Sequence, residues 1–285
     1  MSQKVIIASD STSDLNEELI ARYGVKIVPL KVNLGDNQYT DGVDIDPDFI
    51  YQFYEENGQL PKTSAPSIAD FENFFKEQTA DGSAVVFFTI SSDMSATYNN
   101  ARLAAEDVDN VYVVDTRNLS TGGGLLVVAA GEMAAEGKSA EEIAKACGEL
   151  TARVDASFVI DNLEFLHKGG RCSAVAAFGA NLLQLKPCIT VHDGKMGVSK
   201  KYRGSFSSTL QKYVADRIGD GSDIDLDRIF VTHAGCDEAI VNQCVEQVKA
   251  VAPFKEVFVT RAGCTISSHC GRNTLGVLFV RKNTI

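Results

Sequence analysis

The chain has 285 residues, 45% of them hydrophobic, and a formal net charge of −11 at pH 7, which gives it length for a sizeable core and, by size, for two domains. The acidic balance excludes a global basic field for nucleic acid and disfavours unaided adhesion to anionic lipid. No apolar run reaches the length of a membrane span, and Met1-Ser2-Gln3-Lys4 leads straight into Val5-Ile6-Ile7-Ala8, too short for a signal peptide, so a cytoplasmic protein is expected.

The first half alternates apolar strands with helical segments. Val5 to Ala8 predicts a short buried strand, followed by the polar turn Asp10-Ser11-Thr12-Ser13-Asp14 and a helix through about Tyr23 that stops at Gly24. Val25 to Leu30 predicts the next strand. Asp46-Pro47 opens a helix with proline at the first helical position. Ser67-Ile68-Ala69-Asp70 has capping-box spacing, with Phe71, Phe74 and Phe75 at helical intervals behind it. Ala84 to Thr89 and Val111 to Val114 predict further strands, each leading through a polar turn into a helix. Gly122-Gly123-Gly124 falls at the second of these helix starts, where it permits close packing. Ser139-Ala140-Glu141-Glu142 is a capping box for a helix to about Arg153. Alternation of this kind implies right-handed crossovers and a mainly parallel sheet.

After about Asp155 the pattern changes. Strands are predicted at Ser157 to Ile160, Cys188 to Val191, Arg228 to Thr232, Glu256 to Thr260 and Gly276 to Val280, and Asp193-Gly194 is a hairpin signal. Helices are predicted at Ala174 to Leu183, Ser207 to Ile218 and Glu238 to Val251. The expectation is an α/β chain of two domains, 1–155 and 156–285. The first would be a three-layer α/β/α unit with a mainly parallel sheet, the second a two-layer unit with a mixed sheet. With no Pro/Ser-rich linker between them, the halves should meet along a broad cleft.

Three hydroxyl-rich turns stand out: Thr63-Ser64-Ala65-Pro66-Ser67, Ser91-Ser92-Asp93-Met94-Ser95-Ala96-Thr97 and Ile266-Ser267-Ser268-His269. Short hydroxyl side chains and free N–H groups at helix starts either cap those helices or seat a small anion with neutral donors. The turn after 84–89 lies at the carboxyl end of a strand, where open α/β sheets bind ligands. His269 is read as lying near a helix start, where the dipole opposes an imidazolium. Lys168-Gly169-Gly170-Arg171, with Lys186, Lys200, Lys201 and Arg203, is either a basic patch for a phosphate, membrane or acidic partner, or a solvated surface. Asp10, Asp14 and Asp115 could together hold a metal, but Asp10 and Asp14 read more easily as helix-cap and turn residues. The seven cysteines are scattered without a Cys-x-x-Cys pair, which reads as reduced structural thiols. No Gly-x-Ser-x-Gly, Gly-x-Gly-x-x-Gly or Walker A sequence is present.

Taken in order, Asp10-Ser11-Thr12-Ser13-Asp14, Thr63-Ser64-Ala65-Pro66-Ser67, Ile90-Ser91-Ser92-Asp93-Met94-Ser95-Ala96-Thr97-Tyr98, Lys168-Gly169-Gly170-Arg171, Leu185-Lys186-Pro187 and Ser267-Ser268-His269 resemble the DegV family of bacterial fatty-acid-binding proteins. The resemblance covers essentially the whole chain. It implies a long-chain fatty acid as ligand, buried between two α/β domains, and a fatty acid kinase as the partner that phosphorylates it. By position, Thr63, Ser95 and His269 match the family's carboxylate-binding residues, while Arg171 and Arg203 match basic positions for kinase, phosphate or membrane contact. The family carries no metal or other cofactor and no catalytic residue on this reading. Two alternatives stay open: a lipid-responsive regulator, and a serine-dependent acyl hydrolase using Ser95 with His269. The chain departs from the family pattern at Asp93-Met94-Ser95 and at His269-Cys270-Gly271-Arg272-Asn273.

Overall fold

A computed structural model describes residues 3–173 and 185–285. The apolar run at the start of the chain becomes β1 (Val5–Asp10), which pairs in parallel with β2 (Lys26–Val28) and β6 (Ala84–Thr89). With β7 (Val111–Asp115) beside β6, the order is β2-β1-β6-β7, all parallel. Every residue of β6 is buried, as a strand covered on both faces requires. One face takes α3 (Ile68–Thr79) and α4 (Thr97–Ala105), with Phe71 and Phe75 edge-on to Phe87. The other face takes α1 (Glu17–Tyr23), α5 (Thr121–Ala135) and α6 (Ala140–Leu150), packing Leu19, Leu126 and Ile143 with Val86 and Phe88. This is the expected three-layer unit.

The helix starts follow the sequence closely. Ser67 and Asp70 form a reciprocal capping box at α3, and Ser139 and Glu142 form another at α6. Asp46 caps α2 (Pro47–Asn57), with Pro47 in the first turn. The helix expected to reach Arg153 ends at Leu150 and continues as a 3-10 turn.

A small antiparallel sheet was not foreseen. It consists of β3 (Lys31–Leu34), β4 (Asn37–Thr40) and β5 (Lys62–Ser64) in the order β4-β3-β5. Three- and four-residue strands, one of them wholly polar, leave no legible alternation. Val32 and Leu34 point inward from β3 and join Ile50 and Tyr51 of α2, Phe165 of α7 (Glu164–Gly169) and Cys264 of α10 (Cys264–Cys270). Residues on either side of the expected boundary near 155 therefore share this cluster.

The second sheet runs β10-β9-β8-β13-β11-β12. Its strands are β8 (Val154–Ile160), β9 (Lys186–His192), β10 (Lys195–Tyr202), β11 (Ile224–Ala234), β12 (Glu256–Arg261) and β13 (Thr274–Arg281). β11 and β12 are parallel, joined by α9 (Glu238–Val251); the other pairs are antiparallel. Asp193 and Gly194, at φ 46° and 77°, form the two-residue β9–β10 turn, matching the hairpin signal. One face packs Val159, Val231, Val277 and Phe279 against α8 (Phe206–Ile218) and α9. The opposite face presents Phe158, Phe230 and Leu278 to the α5 core.

α5 thus lies between the two sheets, and its glycines let the turn after β1 and helix α1 pack closely on it. A Cβ on Gly124 would stand 2.8 Å from the carbonyl oxygen of Ser13, and one on Gly131 would stand 2.6 Å from the Tyr23 ring. The helix expected over Ala174 to Leu183 lies outside the described residues. Among the described residues, no helix is long and apolar enough to cross a membrane.

Candidate functional site

A cavity of about 240 Å³ lies where the parallel sheet, the mixed sheet and α10 meet. Ile90, Met94, Leu119, Phe158, Met196 and Leu278 give it a mostly apolar wall, and Thr63, Ser95 and His269 reach it from three separate elements. Thr63 arrives on β5, held by pairing with Val32. Ser95 comes from the loop after β6, and His269 from α10. Thr63 Oγ1 is 2.8 Å from His269 Nε2, across 206 positions of sequence. Ser95 Oγ is 2.8 Å from Thr97 Oγ1 and accepts from the Thr97 N–H at 3.3 Å. All three residues expected from sequence therefore share one cavity, and two of them touch.

His269 sits in the last turn of α10, not near a helix start. A helix end favours imidazolium, so the neutral ring needs another cause. Burial supplies it, aided by the Arg171 guanidinium, and together they push the His269 pKa down to about 4. Its Nδ1 is buried without a hydrogen-bond partner among the described residues. The backbone of Gly169 passes so close that a Cβ there would lie 2.8 Å from Nδ1. Arg171, exposed at the cavity edge, donates from Nη1 to the Gly169 carbonyl at 2.7 Å.

The remaining hydroxyls of the 91–97 turn have other tasks. Ser91 Oγ donates to the Gly194 carbonyl at 2.8 Å, and Ser92 Oγ accepts from Arg117 Nη1 at 3.2 Å. Ala96 stands at the N-cap of α4, which has no side-chain cap. Ser67 is the α3 cap, as expected. In the basic group, Lys168 pairs with Glu164 at 2.7 Å, Lys186 with Asp161 at 2.5 Å and Lys200 with Asp216 at 2.5 Å. Arg203 is exposed just beyond β10 and is not among the described residues that line the cavity.

The acidic residues of the first turn hold the site's frame. Asp10 accepts from the N–H groups of Thr12 at 3.0 Å and Ile90 at 2.8 Å, tying the end of β1 to the end of β6. Asp14 accepts from Ser120 Oγ and from the Gly263 N–H, the latter at 2.8 Å. Asp115 accepts from the N–H groups of Arg117 and Ser92. Burial raises the Asp10 pKa to about 6 and lifts that of Asp14 well above the usual carboxylate range. Asp41, which sequence reasoning missed, accepts from the N–H groups of Cys264 and Thr265 at 2.8 and 3.0 Å and from Thr265 Oγ1 at 2.6 Å. Its local sequence, Asp41-Gly42, reads only as a turn. Among the described residues, no three His, Cys, Asp or Glu side chains are grouped to hold a metal ion.

The family model that matches is that of the DegV family, described as uncharacterised proteins, over residues 4–282. A DegV domain-containing protein of Caldanaerobacter subterraneus subsp. tengcongensis is 32% identical, covering 98% of this chain and all of the relative. A solved structure of a fatty-acid-binding DegV family protein from Thermus thermophilus superposes with a TM-score of 0.88 at 33% identity, covering 98% of this chain and 100% of that one. A stearic-acid-binding protein from Eubacterium ventriosum superposes with a TM-score of 0.83 at 28% identity over 98% of both chains. Matched from Lys4 to Lys282 by one family and at full length by its members, this chain belongs to the DegV family.

Proposed function

We propose that the protein binds a long-chain fatty acid in this cavity, with the carboxylate at Thr63, Ser95 and His269, and presents that carboxylate to a fatty acid kinase. On this reading residues 1–155 supply the hydroxyl turns and residues 156–285 close over the acyl chain. The observation that carries it is the Thr63–His269 contact at 2.8 Å in a cavity that Ser95 also lines and whose other walls are mostly apolar. The fatty-acid binding of the Thermus and Eubacterium relatives supports the ligand class.

The energetics divide between tail and head. Burying some 14 methylenes is worth on the order of 11 kcal/mol before the costs of association. A carboxylate left dry without partners would give back several of these. Hydroxyl and imidazole donors offset that penalty while leaving an oxygen nucleophilic toward a phosphoryl group held by the kinase. A bidentate arginine would quench it more. Phosphoryl transfer then belongs to the kinase, and this chain acts as carrier. Arg171 and Arg203 are assigned to contact with the kinase, a phosphate or a membrane surface.

The hydrolase alternative is the weaker one. The hydroxyl on His269 belongs to Thr63, whereas Ser95 contacts Thr97. No acid orients His269 Nδ1 among the described residues, and an imidazole with a pKa near 4 is a poor general base at neutral pH. Native mass spectrometry of freshly purified protein tests the carrier reading. A co-purifying fatty acid supports it. A delipidated protein that takes up neither palmitic nor stearic acid overturns it.

A further inference from the structure

Among the described residues, six hydroxyl side chains line the cavity: Thr63, Ser95, Ser120, Thr232, Thr265 and Thr274. Thr63 and Ser95 are the proposed headgroup contacts. Three others give their protons to the protein: Ser120 to Asp14, Thr265 to Asp41 at 2.6 Å, and Thr274 to the Cys270 carbonyl at 3.1 Å. Thr232 is different. Its Oγ1 lies 2.6 Å from Thr121 Oγ1 and 2.8 Å from Thr260 Oγ1, and all three residues are buried.

Three hydroxyls hold three protons, and two contacts use two of them. Thr121 and Thr260 are not among the cavity-lining residues. A spare proton on either would face the protein interior with no further acceptor among the described residues, at a cost of about 1–3 kcal/mol. The arrangement that avoids this has Thr121 and Thr260 both donating to Thr232. Thr232 then has both lone pairs filled and a proton to give, and it borders the cavity.

The sheet register places that donor away from the headgroup. Thr232 pairs with Thr260 on β12 and with Gly276 on β13, and Gly276 pairs with Phe158 on β8. Paired residues project from the same face, so Thr232 stands beside a position with no side chain. The neighbouring row toward α10 is Ala234–Thr274, one two-residue step away, roughly 7 Å. A Cβ at Gly276 would stand 2.5 Å from the Ser157 carbonyl oxygen and 3.1 Å from Phe158 Cβ, so the neighbouring strand itself requires the glycine. Thr232 and Gly276 both border the cavity on this face of the sheet, and Thr232 is the hydroxyl donor of their row.

We propose that Thr232 is a second polar contact, directed at the acyl chain itself, and that it makes the cavity select mid-chain oxo fatty acids over unsubstituted ones. This rests on the fatty-acid reading above. A ketone oxygen accepts a proton and brings none. A hydroxyl on the chain would accept equally but carry a proton that Thr232, with both lone pairs occupied, cannot take. An unsubstituted chain leaves the Thr232 donor dry.

The test uses the delipidated full-length protein and measures dissociation constants for stearic acid and for a positional set of mono-oxo and monohydroxy stearic acids. One oxo isomer should bind roughly three- to tenfold tighter than stearic acid, and ahead of the hydroxy acid of the same position. Thr232→Val should bring the oxo-to-stearic ratio to about one, while Thr232→Ser should keep the preference. Stearic acid binding with no oxo isomer preferred overturns the inference and leaves the fatty-acid reading standing, a result that needs no variant to fold. A preference that survives Thr232→Val overturns it too. Failure of every acid to bind removes both readings.

Discussion

Asp41 and Thr265, 224 residues apart, are joined by two hydrogen bonds to one carboxylate oxygen, from the Thr265 N–H at 3.0 Å and its hydroxyl at 2.6 Å. The other oxygen takes the Cys264 N–H at 2.8 Å. The start of α10, and hence the position of His269 one turn later, is therefore fixed by a side chain from the first half of the chain. Asp41→Ala orphans two buried N–H groups at about 1–3 kcal/mol each. We expect a loss of roughly 2–6 kcal/mol in urea unfolding, with weakened fatty acid binding even where the variant is fully folded. A variant as stable as the parent would show that α10 needs no such anchor.

Thr63→Val and Ser95→Ala each remove one proposed donor to the carboxylate without changing apolar packing. Hydrogen bonds to charged groups are worth about 1.5–3 kcal/mol, so each variant should bind palmitic acid roughly 10- to 100-fold more weakly. Circular dichroism should change little in either variant, while Thr63→Val also orphans the buried His269 Nε2 and should lower the unfolding free energy by about 1–3 kcal/mol. Titration calorimetry on delipidated protein reads the difference. Parental affinity in both variants would remove the headgroup assignment.

Much of the scaffold was legible because its signals are local. Both capping boxes, the proline-led α2 and the Asp193-Gly194 hairpin depend on residues within four positions of one another. The small β3–β5 sheet was not legible, since its strands are too short to show a period and gain meaning only from packing on α2, α7 and α10. Thr63, Ser95 and His269 were singled out by the hydroxyl-rich turns and the family resemblance, but the contact between Thr63 and His269 was not legible, because it spans 206 residues. Asp41 and Thr232 gave no signal at all. One sits in an ordinary Asp-Gly turn, and the other is a β-branched residue in a strand, where such residues are common.

His269 titrates in a window that unfolding can report. Its pKa is about 4 in the folded protein against 6.5 when exposed, so between these values the unfolded chain holds more protons than the folded one. Stability from this group is therefore fully present above pH 6.5 and is lost as pH falls toward 4. Asp10, raised to about 6, and Asp14, raised well above the usual carboxylate range, act in the opposite sense, losing stability as pH rises above about 4, so the parent profile sums opposing contributions. The comparison with His269→Gln isolates the histidine. The stability advantage of parent over variant should grow with pH from 4 to 7, by on the order of 3 kcal/mol. Urea unfolding at four pH values checks this, and a pH-independent difference would mean that the ring is not buried as neutral imidazole.

Arg117 fastens the β9–β10 hairpin over the 91–95 turn. Its Nη1 bonds Asp93 at 2.6 Å, and its Nη2 bonds Asp193 Oδ1 at 3.0 Å as well as the Asp193 carbonyl. Ser91 adds a hydroxyl bond to the Gly194 carbonyl. Met94 and Met196, one on each side of this clasp, line the cavity, so loosening the hairpin loosens a cavity wall. The arginine is partly exposed and its ion pairs are screened by solvent, so Arg117→Ala should cost only about 1 kcal/mol of global stability. Local opening should respond more, because the hairpin keeps its own strand pairing and loses only its tether. Amide exchange over residues 186–202 should quicken severalfold while β1 and β6 stay protected, and a bound fatty acid should dissociate faster in stopped-flow displacement. Unchanged exchange in the hairpin together with an unchanged dissociation rate would show that the Ser91 bond and strand packing hold the wall without Arg117.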